Sequence, residues 1–318
     1  MNAELVSNTD LIYVAGHRGM VGSAVWRRLA AHGFERLLGA ASVELDLRNA
    51  NAVEQFFAEK EPDVVVLAAA KVGGILANAS HPADFLSDNL RIQVNVMDAA
   101  LRHGVRRLLF LGSSCIYPKF APQPIPESAL LSGALEQTND AYAIAKIAGI
   151  MQVQAMRRQH GVPWISAMPT NLYGPGDNFD LKSSHVLPAM LRKFHDAKVE
   201  GRDSVTLWGS GTPRREFMHV DDLAAACVFL LQHYDEDEHI NVGTGEDLSI
   251  AELAGLVRDT IGYDGSIVWD SSMPDGTPRK LLDVSRLTSL GWKPEIPLDT
   301  GVAAAYRWFL DHPEERRG

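Results

Sequence analysis

The 318-residue sequence contains only two cysteines, Cys115 and Cys227. Two cysteines cannot build the disulfide framework of a small secreted domain, and they suit a reducing compartment. The amino terminus has no basic segment followed by an apolar stretch, so it does not read as a signal peptide. No apolar run approaches the roughly 20 residues that span a membrane. We therefore expect a cytoplasmic protein with no membrane partner.

Basic residues are also scarce: 30 against 40 acidic ones, for a net charge of −10. A main partner of nucleic acid would call for surplus Lys and Arg, so this balance argues against one. Small anionic ligands remain compatible, because a pocket can be locally basic. No two histidines have metal-ligand spacing such as H-E-x-x-H, and we predict no metal.

Strand and helix patterns alternate through the first half of the chain, which is typical of a doubly wound parallel sheet. Buried strands are predicted at 11–15, 36–40, 63–68, 107–111 and 164–168. Helices are predicted at 20–32, 49–60, 82–103 and 140–160. The expected fold is thus α/β, with a Rossmann sheet.

The alternation breaks after about residue 175, where Pro, Gly and His become common. Here we predict helices at 184–197 and 222–232, a returning strand at 239–242, and helix, strand, loop and helix over 249–318. The predicted nucleotide-binding domain comprises 1–176 plus about 216–248. The remainder, about 177–215 plus 249–318, is predicted to form a smaller α/β substrate domain.

The stretch GHRGMVG, 16–22, follows the first strand and opens the first helix. Glycines permit a tight turn and close approach of the backbone to a pyrophosphate, which the helix N-terminus then binds. A purely structural turn is the alternative. The predicted dinucleotide contacts in this loop are Gly16, Arg18, Gly19, Met20, Val21 and Gly22.

The residues after the second strand bear on the choice of nicotinamide cofactor. An acid there selects NAD, but this chain has Ala40, Ala41 and Ser42. Arg18 is placed to face a 2′-phosphate, and a solvated surface arginine is the alternative. We expect NADPH/NADP, with NADH possible because no further arginine follows the strand. Asp46 and Leu47 are predicted to lie beside the adenine.

Tyr142 and Lys146 are four residues apart and share one face of a predicted helix. Ser113 ends the fourth strand, at the edge of a parallel sheet where ligands bind. An ammonium can lower the pKa of a neighbouring phenol toward neutrality, which suits acid–base work. A Tyr and a Lys on an ordinary helix face are the bland alternative.

These residues give the chain a resemblance to the extended short-chain dehydrogenase/reductases that act on nucleotide sugars. Within them it is most similar to the 3,5-epimerase/4-reductases of GDP-4-keto-6-deoxy-D-mannose. The motifs are spread over nearly the whole chain: GHRGMVGSA (16–24), LAAAKVGGI (67–75), LGSSCIYP (111–118), YAIAKIAG (142–149), MPTNLYGP (168–175), DNF (177–179), SHV (184–186), WGSGTPRREFMHVDD (208–222), INVGTG (240–245) and PDGTPRKLLDV (274–284).

The resemblance implies roles at the reacting carbons. Cys115 is implied as the base and His185 as the acid for inversion at C3 and C5. Ser113 and Tyr142 would steady the enolate oxygen, and Tyr142 would protonate the C4 oxygen during reduction by NADPH. The alternatives are a buried packing cysteine and a capping or core histidine. For Cys227 the core interpretation is favoured.

The resemblance also implies contacts to the nucleotide sugar and to the rest of the cofactor. Substrate contacts are expected at Asn171, Lys193, Trp208, Arg215 and Lys280, and a structural role is an equal alternative for each. Further cofactor contacts are expected at Ala69, Lys146, Pro169, Asn171, Leu172 and His185. By analogy, the helices at 82–103 and 140–160 would form a homodimer interface.

Two other functions stay open. A nucleotide-sugar 4-epimerase or simple reductase of the same superfamily would keep Ser113, Tyr142 and Lys146 but would not need Cys115 with His185. A non-catalytic, redox-sensing dinucleotide-binding protein would be expected to lose part of the Ser-Tyr-Lys set, which is complete here.

Overall fold

The computed structural model describes residues 5–181, 183–273 and 275–316. Its strands are β1 (Ile12–Ala15), β2 (Leu37–Leu38), β3 (Val64–Leu67), β4 (Arg107–Leu111), β5 (Ile165–Pro169), β6 (Asn171–Tyr173), β7 (Ser204–Trp208), β8 (Arg214–Arg215), β9 (Phe217–His219), β10 (Ile240–Val242), β11 (Leu248–Ser249), β12 (Ser266–Asp270) and β13 (Arg279–Lys280). Its helices are α1 (Met20–Ala31), α2 (Ala50–Lys60), α3 (Ile75–Ser80), α4 (Pro82–Arg102), α5 (Asp140–His160), α6 (Val186–Glu200), α7 (Val220–His233), α8 (Ile250–Ile261), α9 (Ser285–Ser289) and α10 (Leu298–Asp311).

A parallel sheet in the order β10-β5-β4-β3-β1-β2 forms the centre of the fold. The chain leaves β1 toward β2 and returns to β3 on the other side, so the strand order reverses at β1 and β3. Ligands of open parallel sheets bind at the carboxyl ends of the strands near such a reversal. The prediction of a doubly wound α/β fold is confirmed.

Helices cover both faces of the sheet. One apolar core joins the sheet to α1 and α7, and a second joins its other face to α2, α4 and α5. Because both faces are covered, β1, β3, β4 and β5 are buried along their whole lengths. This explains why these strands are continuous apolar runs in the sequence. Strand β2 is half-buried and shorter than the predicted 36–40.

A third apolar core lies outside the sheet and is built from α6, α8, α10 and the parallel pair β7–β12. Two short assemblies, β11-β8-β13 and β6–β9, lie between the major elements. The short strands and α3 were not predicted, because segments of two to six residues carry little periodicity. The predicted domain boundaries stay a prediction. Residues 1–4, 317 and 318, and Pro274 of the PDGTPRK motif, lie outside the described residues.

The longest helices, α4 and α5, each have 21 residues. Both carry charged side chains along their length. Over the described ranges, no helix is long and apolar enough to cross a membrane.

Candidate active site

The glycine loop joins β1 to α1 at the reversal of the sheet. Gly16 has φ +88°, a left-handed conformation that favours glycine, and a Cβ there would lie 2.9 Å from the backbone of Ala69. A Cβ on Gly22 would lie 2.1 Å from the Gly16 carbonyl oxygen. Gly19 is the N-cap of α1 and offers no side-chain cap. The first N–H groups of α1 are therefore available to an anion, which fits a dinucleotide pyrophosphate.

Both acidic and basic side chains surround the position predicted for the 2′-phosphate. Arg18 is exposed and makes no hydrogen bond or ion pair with the described residues. The Ala41 N–H donates to Glu44 Oε2 at 2.7 Å. Asp46 is exposed and paired with Arg48 at 2.9 Å, and hydrogen bonds from Arg48 lower its pKa. Arg18 is thus a free cation at this edge of the loop.

Ser113 and Cys115 follow β4 at its carboxyl end. Ser113 caps a single 3₁₀ turn, Ser114–Ile116, and its hydroxyl accepts the Cys115 N–H at 3.3 Å. The Cys115 side chain is 8% exposed and lines a narrow cavity rather than packing into an apolar core. The turn after β4 therefore brings both side chains to one opening.

Tyr142 and Lys146 reach the same opening from α5. Lys146 is buried, donates to the Leu111 carbonyl at 2.8 Å, and lies 5.8 Å from the centre of the Tyr142 ring. Burial lowers the pKa of Lys146 to about 8. Burial, and after it the adjacent Cys115, raises the pKa of Tyr142, while contact with Ser113 lowers it. The expected lowering by Lys146 is not found, because burial dominates and the Lys146 ammonium points to Leu111.

The cation with the largest effect on the pKa of the Cys115 thiol is Lys280, not His185. Burial raises the pKa of Cys115, while Lys280, Ser113 and Lys146 lower it. Sequence reasoning placed Lys280 only on the substrate diphosphate. It missed this effect because Lys280 is 165 positions further along the chain, and contacts between distant segments bring it back to the cavity of Cys115.

His185 lies at the start of α6. It is the N-cap residue, but its side chain makes no cap hydrogen bond and is exposed, so it is neither a capping nor a core histidine. Surrounding protein atoms, followed by the charge of Lys280, lower its pKa. Lys280 therefore influences both Cys115 and His185, which places the two on one site.

The other predicted substrate residues surround this site. Lys193 donates to the Thr206 carbonyl at 3.2 Å and lies 5.4 Å from the Trp208 ring, which is 48% exposed. Arg215 is half-buried and donates to the Arg214 carbonyl at 2.8 Å. The Asn171 side-chain NH₂ donates to the Glu216 carbonyl at 2.7 Å, so this group stabilises the fold.

Pro169 and Leu172 extend the same edge of the sheet. Pro169 is the last residue of β5, and Leu172 lies in β6 directly beyond it. The Leu47 carbonyl is occupied by the Asn95 side chain at 2.9 Å. The predicted cofactor contacts from Gly16 to Leu172 thus border the carboxyl ends of the central strands.

Two buried carboxyl groups near the site were not predicted. Glu216 is fully buried and accepts several backbone N–H groups. Asp177 is 9% exposed, and burial raises its pKa to about 7. An acid inside the apolar stretch EFMHV, at 216–220, was the available signal for Glu216. Asp177 lies in a polar loop, where nothing distinguishes it from a solvated acid.

Both cysteines are free thiols, and Cys227 is fully buried in the core beside α1, as its core interpretation requires. Burial raises the pKa of Cys227 to about 12. Among the residues that the structure describes, no cluster of His, Cys, Asp and Glu could hold a metal ion.

A parallel sheet with a glycine loop at its reversal, and a serine, a tyrosine and a lysine at one strand end, defines a nucleotide-dependent enzyme of the short-chain type. Residues 12–243 match the NAD dependent epimerase/dehydratase family, and the chain belongs to it. Within that family the chain belongs with the GDP-L-fucose synthases. It is 59% identical to GDP-L-fucose synthase 1 of Arabidopsis thaliana over 299 residues, which cover 94% of this chain and 93% of the relative. It is 52% identical to GDP-L-fucose synthase of Escherichia coli K12, over 96% of this chain and 98% of the relative.

Solved structures agree with this placement. A GDP-L-fucose synthetase from Naegleria fowleri bound to NADP is 28% identical, with a TM-score of 0.90 over 98% of each chain. A GDP-mannoheptose C4 reductase from Campylobacter jejuni with NADP bound is 37% identical, with a TM-score of 0.88 over 96% of this chain and 99% of that one.

Proposed function

We propose that this chain converts GDP-4-keto-6-deoxy-D-mannose to GDP-L-fucose, by inversion at C3 and C5 followed by NADPH-dependent reduction at C4. The observation that carries the proposal is the cavity position of Cys115, a titratable thiol within reach of Ser113 and Tyr142. A reductase alone needs no thiol there. The identity to GDP-L-fucose synthases over nearly the whole chain supports the same conclusion.

In the epimerisation, the C4 ketone acidifies the hydrogens on C3 and C5. Cys115, as thiolate, removes a proton from one face, and His185 returns a proton to the opposite face. The electron pair of the broken C–H bond moves to the ketone oxygen, where Ser113 and Tyr142 donate hydrogen bonds to the enolate. The lowered pKa of His185 makes its imidazolium a stronger acid than a solvated one, which favours proton donation to the enolate carbon.

In the reduction, Tyr142 gives its proton to the C4 oxygen, and the Lys146 ammonium, 5.8 Å from the centre of the Tyr142 ring, stabilises the phenolate that is left. NADPH, when bound, supplies the hydride to C4. The glycine loop, the uncapped start of α1 and free Arg18 fit its diphosphate and 2′-phosphate. The absence of an acid at Ala40 to Ser42 is consistent with NADP, and the absence of a second arginine there leaves NADH possible.

The GDP moiety is proposed to bind over the residues of the smaller part of the chain, about 177–215 plus 249–318. Arg215 has a fork geometry suited to the diphosphate, with Lys193 and Lys280 as further cations. Trp208, exposed beside Lys193, offers a flat apolar surface to the base or sugar.

We further propose a homodimer in the cytoplasm. Val94 on α4, with Ile144 and Met151 on α5, are exposed apolar side chains on helices that pack together. Residues 144 and 151 are two turns apart on one face, so the patch is continuous along α5. The two free thiols support the location. Sedimentation of wild type and of Met151→Glu tests the dimer, and cell fractionation tests the location.

The test of the function is NADPH oxidation with GDP-4-keto-6-deoxy-D-mannose, with the product identified by NMR and solvent deuterium followed at C3 and C5. GDP-L-fucose labelled at both carbons is expected. Cys115→Ser should lose at least about 100-fold in exchange, whereas Cys227→Ala, the control at the core cysteine, should keep the wild-type rate. A product reduced at C4 without inversion would refute the epimerase half of the proposal.

The second candidate, a C4 reductase without epimerase activity, is favoured by one observation, the 37% identity to the Campylobacter jejuni C4 reductase. It predicts oxidation of NADPH with no deuterium at C3 or C5. The same experiment therefore decides between the two.

A further inference from the structure

The strand that carries Lys280 is fixed from two sides. On one side Lys280 is paired with Arg215 in the parallel register of β13 and β8. On the other side the Ile125 N–H donates to the Leu281 carbonyl at 2.8 Å, and the Leu281 N–H donates to Gln123 Oε1 at 2.9 Å. Segment 123–125 belongs to the same loop as Cys115. The strand is therefore held against that loop.

Lys280 and Cys115 line one narrow cavity. The other charged groups lining it are Lys119, Glu136 and Arg279, and Tyr142 and Lys146 approach the thiol from α5. Lys119 is paired with Glu136 at 3.4 Å, and Arg279 with Asp247 at 2.5 Å. No described carboxylate is paired with Lys280, so its charge is directed at the thiol more than those of the paired cations.

Glu216 holds this strand in place. Its Oε2 accepts the Leu282 N–H at 3.0 Å, and its Oε1 accepts the N–H groups of Thr244 at 2.6 Å and Gly245 at 2.8 Å. Its own N–H donates to the Lys280 carbonyl at 3.3 Å. A Cβ on Gly243 would lie 2.2 Å from Oε1, so the carboxyl group is enclosed. One buried side chain thus joins the strand of Lys280 to the loop after β10.

Glu216, Lys280 and Cys115 each affect the ionisation of the next group. Burial raises the pKa of Glu216, but each of its close hydrogen bonds is donated to it, which favours the anion. Burial lowers the pKa of Lys280, while Cys115 and Glu216 raise it and Arg215 lowers it. Lys280 in turn is the charge that most lowers the pKa of Cys115. The Glu216 anion therefore favours the charged form of Lys280, and Lys280 favours the charged form of Cys115.

We propose that Lys280 is the cation paired with the Cys115 thiolate in the free enzyme, and that Glu216 is the positioning residue that holds Lys280 there. The inference rests on the proposed function only in giving this thiolate a substrate to act on. It adds a role for Lys280 beside phosphate binding: its charge lowers the pKa of a thiol whose burial raises it.

The test measures the ultraviolet absorbance of the thiolate against pH in the substrate-free protein, with Cys115→Ser as the blank. Cys227 is silent, since its pKa is about 12. Lys280→Met is expected to move the titration midpoint upward by about one pH unit or more. Arg279→Met is the matched control. Arg279 is the cation next to Lys280 on the strand and is already paired with Asp247, so its loss should move the midpoint much less. An unmoved midpoint in Lys280→Met would overturn the pairing.

The role of Glu216 is tested by a double-mutant comparison. Glu216→Gln presents an N–H group to the Leu282 N–H, which loosens the strand of Lys280, so the midpoint of the Cys115 titration should rise. In a protein that already carries Lys280→Met, Glu216→Gln should cause no further rise. A shift of the same size in both backgrounds would mean that Glu216 does not act through Lys280. Glu216→Asp, which keeps the charge but loses reach, replaces the glutamine variant if that one does not fold. If the wild-type protein turns over the GDP-sugar but Lys280→Met does not shift the titration midpoint, the pairing alone is refuted. If the midpoint shifts but the wild-type protein shows no turnover, the proposed function alone is refuted.

Discussion

The Gly74 N–H donates a hydrogen bond to the Ser183 carbonyl at 3.0 Å, and a Cβ on Gly74 would lie 2.8 Å from the Ser184 carbonyl oxygen. This contact joins the loop after β3 to the segment that ends at His185. Asn78 braces the loop from the other side, donating to the Gly73 carbonyl at 2.7 Å. The position of the proposed acid thus depends on a residue with no side chain.

Gly74→Ala should therefore slow deuterium exchange at C3 and C5 by about tenfold or more, because small misplacements of a proton donor are costly. The measurement is NMR of the recovered sugar. Gly255→Ala is the control: nothing lies within 4 Å of a Cβ at that helical position, so activity should be unchanged and stability should rise by about 0.5–1 kcal/mol. Exchange at the wild-type rate in Gly74→Ala would show that His185 does not depend on this contact.

Tyr142→Phe should separate the two halves of the reaction. The phenol is the only proton donor proposed for the C4 oxygen, whereas the enolate also has Ser113, within hydrogen-bonding range of the same site. We expect NADPH oxidation to fall by about 100-fold or more and exchange to fall by less. Stopped-flow fluorescence of NADPH and NMR of exchange give the two rates. Equal losses in both rates would show that Ser113 does not support the enolate when Tyr142 is absent.

Arg107 lies away from the site and is expected to stabilise the fold. It is fully buried and donates to the carbonyl of Pro163, just before β5, and to the carbonyls of Leu230, Leu231 and Tyr234, at the C-terminal end of α7. Arg107→Leu leaves these acceptors without a donor and should lower the free energy of unfolding by about 3 kcal/mol in urea titrations. Arg106→Leu, at the neighbouring half-exposed residue paired with Asp10, should cost less than about 1 kcal/mol. Similar losses in the two variants would contradict this account.

The sequence predicted the long elements and the grouping of Ser113, Tyr142 and Lys146 because each has a local signal. The strands at β1, β3, β4 and β5 are buried on both faces and are continuous apolar runs. Tyr142 and Lys146 are related by helix geometry, and Ser113 by its place at a strand end. These relations need no knowledge of the tertiary structure.

What could not be predicted depends on contacts between distant segments. Lys280 reaches the cavity of Cys115 because β13 pairs with β8, two strands of two residues each, and because Leu281 is hydrogen-bonded to Gln123 and Ile125. The expected effect of Lys146 on the Tyr142 phenol fails because its ammonium is directed to the Leu111 carbonyl, a hydrogen bond that spacing does not reveal. Burial, which dominates most of the pKa shifts here, is a property of the folded chain.

Asp177 is a buried acid whose ionisation should control stability. It is 9% exposed, its Oδ1 accepts the Asn178 N–H at 2.7 Å, and its Oδ2 is buried without a partner among the described residues. Burial raises its pKa from 3.8 to about 7, so the folded protein binds this proton more tightly than the unfolded chain does. Stability is therefore lost as pH rises from about 4 through about 7, because a buried carboxylate must then be charged. Asp177→Asn keeps the acceptor and removes the charge, so it should be more stable than wild type by at least about 1 kcal/mol near pH 8 and equal to it near pH 4. Urea unfolding of both proteins across this range, without nucleotide, measures the difference. A difference that does not change with pH would mean that Asp177 is not the titrating group.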